Sequence, residues 1–395
     1  MKLLVATDAH IFKTPDGKYW SSAIYGYSFW TRYLHVFKSV RIVARVKAVT
    51  EKDPKWLAVD GNGVEVFGIP FYQGPKALLR QYIKIHNTLR SAYDGIDAAL
   101  FRMPSQTAYM AYTHIPKGMP FAGEVVYDPY EDKQNAEGII NRLLMSRISS
   151  QLSGFCVKAN GVSYVTENSI QTHYPSYARL HGEDKEHFET YYSTITLKED
   201  AFTAERNYDN ISSLKIALSC VTMNNERKGE KTLIRVVKKV RDRGYDVSAV
   251  LIGDGTLRRS FEEYAVSLGV KDYITFTGLL PSSDEVRKVM LEADMFVFPT
   301  QGEGLPRGIL EAMAIGMPVL STPVGGIPEV VDREYLFDPT DDDAFADEIC
   351  HLLDTPDELT RMSKTNYLKS LEYKDDVLQK KRDCFYERLA NLVRR

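Results

Sequence analysis

The chain has little cysteine, no strong excess of either charge and no long apolar run. Its four cysteines (Cys156, Cys220, Cys350, Cys384) are scattered through 395 residues without a C-x-x-C pair. That spacing excludes a cysteine-based zinc site and gives no disulfide framework, which fits a reducing compartment. A formal net charge of −3 provides no global basic field to gather phosphates, so no nucleic acid is expected as a partner. No stretch approaches the roughly 18 apolar residues of a spanning helix. The apolar start before Asp8 is too short for a signal-peptide core. The expected location is therefore cytoplasmic. Internal repeats and low-complexity tracts are also absent.

What is present is ordinary globular composition, 44% apolar and 26% charged. The length exceeds one typical core and predicts two domains. Residues 2–7 read as the first strand of a parallel sheet, which places 8–26, with Gly17, Trp20 and Tyr25, in a loop at the ligand-binding edge. A helix over 28–37 and a strand over 40–46 complete a βαβ opening. The aromatics Tyr19, Trp20, Tyr25, Tyr27, Phe29, Trp30 and Tyr33 have three readings: core packing, an acceptor pocket, or a membrane-surface contact. Further elements are expected at 74–92 (helix), 98–102 (strand), 121–127 (strand), 139–153 (helix) and 161–166 (strand). Asp128, followed by Pro129, Tyr130, Glu131 and Asp132, ends one of these strands. A carboxylate there is placed like a catalytic or acceptor-orienting group; an aspartate starting a turn is the plainer reading. His173, His181 and His187 match no metal-ligand spacing and read as a solvated loop. Asp341, Asp342 and Asp343 read as a helix cap.

The apolar pattern weakens over 198–213, read as a linker, and a second alternation of strands and helices follows from Leu214. Such alternation predicts doubly wound parallel sheets. Gly253 and Gly255 suggest a dinucleotide turn, but Arg258 stands at the third glycine position. The most informative stretch is 296–329, FVFPTQGEGLPRGILEAMAIGMPVLSTPVGGIPE. Pro306 suits the first turn of a helix and Gly316 with Pro318 its end, so Glu303 faces the helix start and Glu311 lies one turn inside. A helix start, a close-approaching Gly304 and the donors of Arg307 make an anion cradle. The two carboxylates beside it would accept hydroxyl hydrogen bonds. Together these suit a phosphate-linked sugar; an ordinary strand, loop and helix is the competing reading.

EGLPRGILEAMAIGMPV resembles the E-x7-E signature of the family-four glycosyltransferases, retaining enzymes of the GT-B fold. NERKGEKTLI, VLIGDGTLRRSFEEYA and ITFTGLL resemble further family segments, in the family's order. The resemblance implies an α/β, GT-B architecture, two Rossmann-like doubly wound domains facing a cleft. Residues 1–200 would take the acceptor and 212–373 the donor, with helix 374–395 packing back on the first domain. By position, Glu311 would bind the nucleotide ribose and Glu303 the donor sugar. Gly304, Leu305 and Pro306 would lie by the phosphate or sugar, and Lys228 would neutralise the leaving diphosphate. Gly278, Leu279 and Leu280 would contact the base, with Gly253 close to the donor. Where the family commonly has an arginine this chain has Thr222, and Arg307 is the expected substitute. Asp128 stands where many relatives carry a histidine. Gly17, Tyr25 and His114 are the remaining acceptor-side candidates.

The implied activity is transfer of a hexose-type sugar from a UDP- or GDP-sugar to a glycan or lipid-linked acceptor, in polysaccharide or glycolipid assembly. No metal or other cofactor is expected, since protein cations can stabilise the leaving group. A GT-B epimerase, an oxidoreductase and a degenerate nucleotide-binding scaffold are the alternatives. Donor identity, oligomeric state and contact with the inner membrane face stay open.

Overall fold

Residues 1–22, 25–130 and 138–394 are described by the structure, a computed structural model. Glu131 and Asp132 of the Asp128 motif lie outside the described residues. The chain forms two units, Met1–Ser193 joined by Gln379–Arg395, and Thr194–Leu378.

The first unit is built on strands β1 (Lys2–Lys13), β2 (Tyr19–Ser21), β3 (Ser39–Ala48), β4 (Leu57–Ala58), β5 (Val64–Pro70), β6 (Ala98–Met103), β7 (Phe121–Val125), β8 (Gly161–Tyr164) and β9 (Phe188–Tyr191). The parallel strands lie in the order β5-β3-β1-β6-β7-β8-β9, while β2 and β4 form an antiparallel strip on the far half of β1. All six residues of β6 are buried, as expected for a parallel strand covered on both faces. Helices α1 (Tyr27–Trp30), α2 (Gly74–Leu89), α3 (Gln106–Tyr112), α4 (Ile139–Lys158) and α5 (Ser169–His173) connect the strands.

Two expectations for this unit need correction. The stretch 8–13 is strand rather than loop. A register shift between Ala6 and His10 lets β1 continue beside β3 as far as Lys13, and a turn containing Gly17 returns the chain to β2. Buried Ala9 and Ile11 continue the period-two pattern that marks a strand. The helix expected over 28–37 is only α1 followed by a 3-10 turn, Thr31–Tyr33. Phe29, Trp30 and Tyr33 enter the core, and the Tyr25 ring stacks on Trp30, so core packing accounts for these four aromatics.

One buried charge organises the unit. Glu124 on β7 pairs with Arg102 on β6 and accepts hydrogen bonds from Tyr33 (3.0 Å), Tyr192 (3.0 Å) and Tyr386 (2.7 Å). Burial alone would raise its pKa, but Arg102 and the tyrosine hydroxyls outweigh burial and hold the carboxyl below the ordinary range. Tyr386 belongs to the last helix, Asp375–Val393, which is thereby tied to the first sheet.

The second unit has five parallel strands, β10 (Leu214–Thr222), β11 (Val247–Asp254), β12 (Ile274–Phe276), β13 (Met295–Val297) and β14 (Val319–Leu320), in the order β12-β11-β10-β13-β14. The helix α6 (Glu230–Asp242) buries Leu233, Val237 and Val240 along one stripe. Residues 198–213 are not a free linker. Arg206 donates to the carbonyl of Ile315 at 2.8 Å and to that of Ala293, and the Tyr208 hydroxyl donates to the carbonyl of Asp294 at 2.6 Å. These bonds fasten the segment to the second unit, whose boundary falls at Thr194.

Candidate functional site

The order β12-β11-β10-β13-β14 reverses direction between β10 and β13. Open parallel sheets hold ligands beyond the carboxyl ends of the strands at such a switch. Two loops meet there, 223–229 after β10 and 298–306 after β13. They are joined by a backbone hydrogen bond from the Gln301 N–H to the Arg227 carbonyl at 2.8 Å, and the loop after β14 is joined to the second of them by the Gly326 N–H, which donates to the Gly304 carbonyl at 2.6 Å. The buried Thr322 hydroxyl adds a bond to the Thr300 carbonyl at 2.7 Å.

Two glycines make this approach possible. Gly229 has φ +85°, and a Cβ there would stand 2.3 Å from the Pro299 carbonyl oxygen. Gly325 has φ +55°, and its Cβ would stand 1.9 Å from the Glu303 carbonyl oxygen. Any side chain would therefore push the Glu303 loop aside as well as strain the backbone. Held this way, Lys228 and Glu303 form an ion pair, both side chains largely covered (30% and 16% exposed).

Helix α7 (Arg307–Ala314) begins directly after this loop. Pro306 occupies the position before its first turn rather than in it, and no side chain caps the helix. Its first N–H groups therefore face the Glu303 loop with the positive end of the helix dipole. Arg307 is exposed and makes no ion pair among the described residues. Glu311 lies one turn in, without a hydrogen bond or ion pair among the described residues. Burial pushes its carboxyl up, partly offset by Arg307 and Arg287. Arg287, on the helix Ser283–Leu291, was not expected from the sequence, since the contact is between distant segments.

The glycine turn lies at the same edge. Gly253 N–H donates to the Gly278 carbonyl at 3.2 Å, and Thr256 N–H to Asn224 Oδ1 at 2.9 Å. Arg258 bonds Glu262 at 3.0 Å and the Phe276 carbonyl at 3.3 Å, so it braces the strand ends instead of opening a dinucleotide turn. Leu279 is exposed beside Leu280, while Thr222, also exposed, pairs with Asp254 at the end of β10. Glu230, at the start of α6, is buried and held above the ordinary range by burial, with the Cys220 thiol on Oε1 at 3.2 Å.

In the first unit Asp128 is buried, and its Oδ2 lies 2.8 Å from His173 Nδ1. Its Oδ1 accepts the Tyr130 N–H at 2.8 Å, and the Tyr130 ring stacks on His173 at 3.8 Å. His173 is thus an oriented imidazole at the end of α5 rather than part of a solvated histidine loop. Local sequence spacing gave no signal for this, because Asp128 lies 45 residues away. Gly17 and Tyr25 sit at the β1–β2 turn and against Trp30. His114 follows α3, at the amino edge of the sheet before β7, where its Nε2 lies 2.7 Å from His86 Nδ1; this separates it from Asp128 at the carboxyl edge. Among the described residues no group of three or more His, Cys, Asp or Glu is placed to hold a metal ion.

Residues 215–355 match the family model described as "Glycosyl transferases group 1". The chain is 26% identical to "Protein CapJ" of Staphylococcus aureus over 86% of its length and 83% of that protein. It is 33% identical to a "GDP-mannose-dependent alpha-(1-6)-phosphatidylinositol monomannoside mannosyltransferase" of Mycobacterium tuberculosis, over 34% of this chain and 37% of the relative. A structure of sucrose-phosphate synthase from Thermosynechococcus elongatus superposes with a TM-score of 0.73 at 16% identity, covering 99% of both chains, and so shares the fold.

Proposed function

Starting from a chain that is a group 1, family-four glycosyltransferase of the GT-B fold, we propose that it transfers a hexose-type sugar from a UDP- or GDP-sugar, with retention, to a glycan or lipid-linked acceptor. The observation that carries the reading is the Lys228–Glu303 pair beside the uncapped start of α7, with Glu311 one turn inside. In this reading the donor diphosphate lies against the α7 N–H groups, Lys228 and Arg307. Glu311 accepts from the ribose hydroxyls, Glu303 from the sugar, and the backbone at Gly278, Leu279 and Leu280 meets the base. Gly304, Leu305 and Pro306 line the phosphate and sugar. As the bond from the anomeric carbon to the diphosphate breaks, charge grows on the departing phosphate, and the cations and helix start stabilise it. With that charge met by protein groups, the reading requires no metal.

On the acceptor side, the Asp128–His173 pair is suited to receive the proton of the attacking hydroxyl, because the buried carboxylate orients the imidazole. The match to a phosphatidylinositol monomannoside mannosyltransferase supports glycolipid assembly, and that to a "Putative colanic acid biosynthesis glycosyltransferase WcaL" of Escherichia coli supports polysaccharide assembly.

A thermal-shift panel of UDP-, GDP- and ADP-sugars tests the donor assignment. A ligand at 100 times its Kd stabilises the native state by about 2.7 kcal/mol, enough to raise Tm by several degrees. One nucleotide class should shift Tm, and a flat response to all three would overturn the proposal. Incubating the donor without acceptor separates transfer from epimerisation, since an epimerase converts the donor unaided.

A further inference from the structure

We propose that Glu230 is a positioning residue for Lys228, a role that rests on the reading of Lys228 as a cation meeting the departing diphosphate. Glu230 follows Lys228 by two residues and opens α6, with its side chain fully buried. The buried stripe of this helix runs through Leu233, Val237 and Val240, and Glu230 stands at its head, at i relative to i+3, i+7 and i+10. An apolar residue is what that pattern requires there. A carboxyl taken out of water costs stability unless it is hydrogen-bonded, so an acid at the head of an apolar stripe is accounted for by what it holds.

It holds the end of β10. The Cys220 thiol donates to Glu230 Oε1 at 3.2 Å, and Oε2 has no partner among the described residues, so from outside its own helix the carboxyl is held by this thiol. Cys220 is itself fixed by the neighbouring strand. The register of β10 against β11 shifts between Ser219 and Thr222, and the Cys220 carbonyl lies so close to Gly253 that a Cβ there would stand 1.7 Å from its oxygen. Such a bulge at a strand end re-aims a side chain, here the thiol toward α6. The Met223 N–H then bonds the Asp254 carbonyl at 2.8 Å and closes the strand end.

Lys228 needs this anchor because of the residue between. Gly229, at φ +85°, is the N-cap of α6 and has no side chain to accept the first N–H groups of the helix. Glycine is also the residue that rotates most freely. With a glycine hinge and an uncapped first turn, Lys228 would have only the Glu303 ion pair to direct it. In the proposed reading that pair loosens as Glu303 turns to the donor sugar and Lys228 to the diphosphate. The Glu230–Cys220 bond fixes the helix side of the hinge without touching the donor. Lys228 thus keeps its aim while its partner changes.

The test separates holding from packing. Glu230→Leu fills the head of the stripe but cannot accept the thiol, whereas Glu230→Gln keeps an acceptor. Turnover is measured at saturating sugar nucleotide, with the UDP- or GDP-sugar that raises Tm. Glu230→Leu should lower kcat about tenfold or more while Tm stays level or rises, and Glu230→Gln should stay within about threefold of wild type. Cys220→Ala removes the hydrogen-bond donor from the other side and should cost kcat a similar factor, so it serves where Glu230→Leu does not fold. In a Lys228→Ala background Glu230→Leu should cost nothing further, since a residue acting through Lys228 has nothing left to position. A Glu230→Leu enzyme within about twofold of wild type, or a loss undiminished in the Lys228→Ala background, would overturn the proposal and leave the donor assignment standing. Normal turnover by Lys228→Ala would overturn both.

Discussion

Replacing Lys228 and Arg307 by alanine, one at a time, probes whether two cations share the departing diphosphate. Lys228 is largely covered and fixed by the glycine that follows it and by Glu303. A preorganised donor in such a setting contributes about 2.7–4 kcal/mol, or 100- to 1,000-fold in kcat. Arg307 is exposed, and in bulk water a unit charge 4 Å away is worth only about 1 kcal/mol, roughly fivefold. At the effective dielectric of a partly covered site the same charge is worth about 4 kcal/mol. The two cases differ enough to decide the role. If Arg307 replaces the basic residue missing at Thr222, the bound donor must cover it, and Arg307→Ala should lose at least 100-fold, as Lys228→Ala does. Sugar transfer at saturating donor, with kcat and KM determined separately, reads this directly. Arg307→Lys should recover only part of the loss, since it restores the charge without the planar fork. An Arg307→Ala enzyme within fivefold of wild type, beside a 100-fold loss for Lys228→Ala, would refute the sharing.

Three further outcomes follow from the same geometry. Gly325→Ala should reduce donor affinity at least tenfold and lower stability, because its Cβ meets the Glu303 carbonyl oxygen at 1.9 Å; isothermal titration with the preferred sugar nucleotide checks it. His173→Ala should lower kcat at least 100-fold while leaving the donor-induced thermal shift intact, a separation that a purely structural role would not produce. Tyr386→Phe should cost the first unit about 1.5–3 kcal/mol at neutral pH, read by urea unfolding, because a hydrogen bond to a charged group is lost. Because Glu124 is held below its ordinary value of 4.5, its contribution is present above that pH and disappears as pH falls through the lower folded value, so wild type should lose stability on acidification there.

The alternation of strands and helices was enough to read two doubly wound units, because buried parallel strands are apolar runs and their helices carry a regular stripe. The extent of β1 was not legible: Ala9 and Ile11 continue its pattern, but the polar residues between them resemble a loop. Residues 198–213 looked like a linker for the same reason, since Arg206 and Tyr208 are held by carbonyls of distant segments. In the second unit Glu303 and Glu311 could be located by their spacing about the start of one helix, whereas Lys228, on an adjoining loop, was legible only through the family resemblance. His173 could not, because its partner Asp128 comes from another strand end. The pair Arg102 and Glu124 left a faint trace, opposite charges inside two apolar strands, but the three tyrosines around Glu124 left none.

The tie between Tyr386 and Glu124 has a bearing on how the protein is made. The first unit needs residues on both sides of the second, so about 185 residues are synthesised between its two parts. At roughly 5–20 residues per second that is a delay of about 10–40 s. During this interval Glu124 and Arg102 have each other but not the last tyrosine, and the face that receives the final helix is uncovered. The second unit, though later in sequence, is the first to have all of its chain. Assembly of the first unit therefore waits on the segment after Leu378, and a chain released there would be left with a complete second unit and an unfinished first one.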